Sequence, residues 1–143
     1  MISLEQYFAK PHSPAQTTLA ADLLERVNTL VAEAVAAGAF EPENDPDTGC
    51  EISGELNGNG DGGFRTPGSP TGAPGSPHKQ AMGVDVYDPD ERLDKWLDGF
   101  EDGQGGNSKL AEHGLYREAT SATIGWCHLQ TRATLSGKRT FQP

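Results

Sequence analysis

The chain has 143 residues, a formal net charge of -10 and 34% hydrophobic residues, with 18 glycines and 10 prolines. That length suits one domain with a real core, 1–143, and the glycine and proline content puts much of the chain in loops. The acidity argues against general nucleic-acid binding, which rests on clustered Lys and Arg, and no apolar run of about 18 residues suggests a membrane span.

The N-terminus has no basic start leading into an apolar run, so synthesis in the cytoplasm without a signal peptide is expected. Ser3 with Gln6 three residues on fits a capping box, opening a short helix that stops before Pro11. His12, between Pro11 and Pro14, reads as a solvated loop histidine. Residues 15–38 carry Leu19, Leu23, Leu24, Val27, Leu30, Val31, Ala34 and Val35 at helical spacing, the stripe of an amphipathic core helix closed by Gly38. Residues 1–40 are thus a helical part, and 50–143 hold the candidate site.

Residues 41–63 are acidic and rich in turn formers, with Cys50 to Ser53 as a short strand. Asn57-x-Asn59-x-Asp61-Gly62 mimics the first half of a calcium-binding EF-hand loop. Its twelfth position falls on Gly68, where a bidentate glutamate is required, so a glycine-rich turn is the better reading. Cys50 and Cys127 lack C-x-x-C spacing; two reduced thiols are expected, Cys127 in the core, with a bridge between them as the alternative. Residues 66–77 have linker composition, but they run into the candidate site and read as an ordered rim loop.

Met82, Val84 and Val86 alternate with Gly83, Asp85 and Tyr87, a strand that carries a carboxylate in its middle. Such a group is costly unless paired or bound to metal. Asp88-Pro89-Asp90 ends this strand and caps a helix with Leu93, Trp96, Leu97 and Phe100 as its apolar stripe, its acids forming the solvated face. Ser108 to Gly114 reads as a short helix, with His113 as a C-terminal dipole partner. Leu115 to Glu118, Gly125 to Thr131 and Arg139 to Phe141 read as short strands. Helices first and short strands later point to α+β, N-terminal helices on a small central antiparallel sheet.

The chemistry concentrates in Ser76-Pro77-His78-Lys79-Gln80-Ala81-Met82-Gly83-Val84-Asp85 and Trp126-Cys127-His128-Leu129-Gln130. His78, Asp85 and His128 are two neutral imidazoles and one carboxylate, a three-ligand catalytic zinc (Zn2+) set with the fourth tetrahedral position left open. A histidine such as His128 in an apolar run is more often a satisfied core residue, and a lone arginine such as Arg65 more often a surface ion-pair partner. Their company overturns both.

Ser76-x-His78-x-x-Ala81-x-Gly83-x-Asp85 resembles the Ser-x-His-x-x-Gly-x-Ala-x-Asp signature of the zinc D-alanyl-D-alanine carboxypeptidases, a family that includes L-alanyl-D-glutamate endopeptidases of phage lysins. Gly63-Phe64-Arg65-Thr66 is similar to its Gly-Tyr-Arg-Ser segment, and Trp126-Cys127-His128 to its aromatic-x-His second ligand. The resemblance covers roughly residues 50–132, and the small size is similar to short phage or prophage members. It implies a small α+β fold whose central antiparallel sheet carries zinc on His78, Asp85 and His128.

The activity implied is cleavage of peptidoglycan stem peptides at bonds involving D-amino acids, at the cell wall or periplasm or as part of a virion. Arg65 would supply fixed positive charge for an oxyanion or substrate carboxylate. Ser76 would fix the loop or bond a ligand, and Gln130, on the same side of its strand as His128, would touch substrate. The chain departs from the family just before the second histidine, where active members carry an acid or a histidine and this chain has Gly125 and Trp126. Glu118 is the replacement candidate for the general base, with Asp88 behind it. Without a base, the alternative is a virion or tail component, with phage structural partners, that binds metal or muropeptide without cutting it. Arg132, Lys138 and Arg139 follow His128 with no acid among them, leaving room for an anionic ligand.

Overall fold

The computed structural model describes residues 1–54 and 62–143, so the calcium-like run from Asn57 to Asp61 lies outside the described residues. Helix α1 (Leu4–Tyr7) opens with the expected capping box between Ser3 and Gln6. Helix α2 (Pro14–Ala36) opens with a second one, Ser13 with Gln16, and has proline at its first turn where no N–H is needed. It ends in a Schellman arrangement: Gly38, at φ 70°, donates to Val35 O and Ala39 to Ala34 O. Ala20, Leu23, Leu24, Val27, Leu30, Val31 and Ala34 are its buried face. Leu19 and Val35, at the edges of the expected stripe, are instead exposed.

The rest of the chain supplies β1 (Gly83–Tyr87), α3 (Arg92–Asp98), α4 (Ser108–His113), β2 (Tyr116–Glu118), β3 (Trp126–Gln130) and β4 (Thr140–Phe141). The strands form one sheet in the order β1-β3-β2-β4. Strands β1, β3 and β2 are antiparallel as expected, but β4 lies parallel to β2, so the sheet is mixed. The outer edge of β1 is also covered: Ser53 N donates to Asp85 O, Asp85 N to Gly62 O, and Ile52 bridges to Val86. That leaves no bare backbone row there to template association.

Alternation along the strands divides the sheet into two faces. Val84, Val86, Cys127 and Leu129 join the helices in the hydrophobic core. Cys50 and Cys127 are separate buried thiols, and burial, with the Asp94 charge beside it, pushes the Cys127 thiol well up. Asp85, Trp126, His128 and Gln130 instead line a cleft on the opposite face. Helix α1 braces this cleft floor, since the buried Tyr7 hydroxyl donates to Gly83 O at 2.8 Å.

Of the acids of α3, Asp98 is exposed as expected, but Asp94 is not part of a solvated face. Asp94 is fully buried and binds Arg117 Nη1 at 2.9 Å and Thr123 at 3.0 Å. Arg117, itself fully buried, also pairs with Asp98 and Glu101. One buried guanidinium therefore gathers three acids of α3 and its exit around itself, with Asp94 alone fully buried, because a guanidinium out of water needs an acceptor for each N–H.

Candidate metal centre

The site is built by β1 and β3 together with the turn that precedes β1. Pro77–Gln80 forms one turn of 3₁₀-helix capped by Ser76, whose Oγ accepts the His78 N–H at 3.3 Å. Ala81 then sits at φ 57°, a left-handed conformation that turns the chain into β1 at a cost for a residue with a Cβ. Gly83 allows the close approach that follows: a Cβ there would lie 2.9 Å from Pro77 Cβ and 3.3 Å from His128 Cε1. Asp85 and His128 are direct register partners across β1 and β3, 43 residues apart in sequence.

His78, Asp85 and His128 are all buried, and one ligand atom from each lies within 4.8 Å of the others. Asp85 Oδ1 is 3.2 Å from His78 Nε2 and 2.8 Å from His128 Nδ1. The outer nitrogens of both rings are already committed. His78 Nδ1 lies 2.9 Å from Gly63 O, a carbonyl that can only accept. His128 Nε2 lies 2.8 Å from Gln130 Oε1, and Gln130 Nε2 donates to Arg132 O, which fixes the amide with its oxygen toward the ring. Each imidazole thus gives its N–H outward, and in the neutral form points a lone pair at the same carboxylate oxygen.

Two lone pairs facing one anionic oxygen repel. Relief comes either from protonating both rings, which buries two imidazolium groups with centroids 5.1 Å apart, or from a cation among the three ligands. The three side chains could therefore hold a metal ion. Without a metal, the electrostatics follow the first form of relief, an ion pair between Asp85 and His128. Burial pushes the Asp85 carboxyl up, but His78 and His128 against it hold it well below the usual carboxylate range. Burial pulls His128 down, yet its bond to Asp85 and the Asp85 and Glu118 charges leave it raised.

Around the ligands is a cleft of about 530 Å³ lined by Arg65, Glu118, Gln130 and Arg132, with Trp126 and Phe141 among its apolar wall. Arg65 Nη2 lies 3.6 Å from Asp85 Oδ2. The rim loop lines the cleft through Gly72 to Pro77. Lys79 holds that loop, its Nζ donating to Ser69 O at 2.9 Å, and Arg132 Nη1 donates to Gly75 O.

Glu118 joins the ligands by register. Tyr116 pairs with Gln130 and Arg117 with Leu129, so one further antiparallel step sets Glu118 beside His128. Asp85, His128 and Glu118 then form a row across three adjacent strands. Asp88 is elsewhere: both of its oxygens accept backbone N–H groups of α3, from Leu93 at 3.2 Å and Asp94 at 3.0 Å, so it is a helix cap and no base candidate. Ser76 acts on the loop, as one of its two expected roles, and the Gln130 amide is committed at both ends to orienting His128. That orienting role was missed in the sequence, although the spacing of two along a strand announces a shared face.

Among the described residues a second group, Glu33, Glu112 and His113, could also hold a metal ion. The Lys109 ammonium already occupies it, 2.8 Å from Glu33 and 3.1 Å from Glu112. The buried triad is the better centre. Comparison of the chain with protein-family models, with curated proteins and with solved structures finds no match.

Proposed function

We propose that the chain is a zinc-dependent peptidase that cleaves peptidoglycan peptide bonds involving D-amino acids, of D,D-carboxypeptidase or endopeptidase type, in a phage setting. One observation carries the reading: two imidazole lone pairs and one carboxylate converge at the floor of a peptide-sized cleft, with a further carboxylate, Glu118, in the same row. The motif resemblance, which names the same three ligands, supplies the substrate class.

His78, Asp85 and His128 would hold the ion, and Gly63 and Gln130 would fix the two rings in the ligating tautomers. A zinc ion held there supplies Lewis acidity at neutral pH, making water a better nucleophile and polarising a carbonyl. Glu118 would accept the proton released from the attacking water and pass it to the leaving amine, a general base supplied from β2 in place of the acid missing at Gly125 and Trp126. Arg65, its side chain largely buried beside Asp85, would face the oxygen on which negative charge develops or the substrate carboxylate.

The test is digestion of purified peptidoglycan by the zinc-loaded protein, with His78→Ala and Glu118→Gln alongside. Release of new amino termini by the wild type and none by His78→Ala is the expected result. Equal rates for those two would reject zinc catalysis. Tight zinc with no turnover on any stem peptide would favour the structural or muropeptide-binding alternative.

A further inference from the structure

We infer that Arg132 determines substrate specificity by binding a carboxylate that lies away from the scissile bond, an inference that rests on the peptidase reading for the substrate's peptide nature. Arg132 follows β3 by two residues and lines the same cleft as the metal ligands. Its path from His128 is four residues, so the two lie within about 14 Å. The guanidinium is held in place by neutral acceptors: Nη1 donates to Gly75 O and, at 2.9 Å, to Gln80 Oε1.

The other two cleft-side and core arginines differ. Arg65 lies beside Asp85, and Arg117 beside Asp94, Asp98 and Glu101. Among the described residues Arg132 forms no ion pair, in a chain where acids outnumber Lys and Arg by 21 to 11. Nη1 uses its two N–H groups on the rim loop and Gln80. The remaining three, on Nε and Nη2, form the fork that fits a carboxylate. Apolar side chains, Pro77, Trp126 and Phe141, line the same cleft. A cleft with its metal ligands at the floor, apolar walls and an arginine with no carboxylate partner at its rim fits a short peptide bearing a free acidic group some residues from the bond that is cut.

The test compares two probes on the zinc-loaded full chain: acetyl-L-Ala-D-Glu-L-Lys-D-Ala-D-Ala and the same peptide with D-Gln in place of D-Glu. Binding is read from the fluorescence of Trp126 in the cleft, and hydrolysis separately from released amine. The wild type is expected to bind the acidic peptide about ten-fold tighter, with the preference shrinking in high salt. Arg132→Gln should bring the acid-to-amide ratio to about one, and Arg132→Lys should restore part of it. A residue that only staples the rim loop would weaken both peptides alike and leave the ratio intact. That result, or a wild type without preference, would overturn the inference. Acid preference without hydrolysis of either peptide would reject the peptidase reading and leave the role of Arg132 standing.

Discussion

Two clusters of buried charge sit back to back on this sheet, and consecutive residues of β2 belong one to each. On the helix side, Arg117 has an acceptor for every N–H: Thr140 at Nε, Asp94 and Thr120 at Nη1, Asp98 and Glu101 at Nη2. On the cleft side, next to Glu118, Asp85 faces two ring nitrogens whose partners have already taken the available protons. Each cluster has a buried charged centre, Arg117 with Asp94 in one and Asp85 with the two histidines in the other. The first is complete as it stands; the second is complete only with both rings protonated or with a cation among the three ligands. Hydrogen-bond satisfaction, more than burial or charge, separates a cluster that holds the fold from one arranged around something else.

Removing a ligand has the largest expected effect. His78→Ala and His128→Ala should bring peptide hydrolysis down to the uncatalysed rate, measured on purified peptidoglycan. Next comes Glu118→Gln, expected to lower the rate by about 10²–10⁴-fold while zinc content, read by elemental analysis, stays at the wild-type level. A rate unchanged by this substitution would remove Glu118 from the mechanism without touching the metal centre.

On the other face, Arg117→Met leaves Asp94 buried without its cation. Urea unfolding should show a loss of about 3–5 kcal/mol, with zinc stoichiometry retained under folding conditions. Loss of zinc in this variant while it is still folded would mean that the two clusters are not independent. A smaller effect is expected at Gln130→Ala, which frees the outer nitrogen of His128 and should weaken zinc about 10–100-fold by competitive chelation. The last concerns pH. Protons compete with metal for the same imidazole lone pair, and Asp85 strengthens the hold of His128 on its proton. Zinc affinity should therefore fall on acidification, starting above the ordinary histidine value of about 6.5.

Local pattern accounts for much of this fold. The α2 stripe, the capping box at Ser3 and the alternation around Asp85 and His128 are local patterns, and the elements follow them. Register is not local. Nothing in the two runs states that Asp85 and His128 pair directly, or that Glu118 stands one strand over from His128. Those facts arise when strands far apart in sequence meet. The parallel placement of β4 is of the same kind. Asp94 shows a different failure. The acids of its helix read as a solvated face, yet Asp94, Asp98 and Glu101 recur at steps of four and three, which puts them on one side of a helical path. An acidic stripe so aligned announces a cation opposite it, and Arg117 was the cation overlooked. Gln130 lines the cleft, as its place on the strand implies, but its amide's partners are not written in the sequence.

The most direct measurement is zinc titration of metal-free protein, followed by elemental analysis of the dialysed product. One tightly held zinc per chain is expected in the wild type and none in Asp85→Asn or His128→Ala, both still folded by circular dichroism. A wild type that retains no metal, or a zinc that survives loss of either ligand, would contradict that expectation.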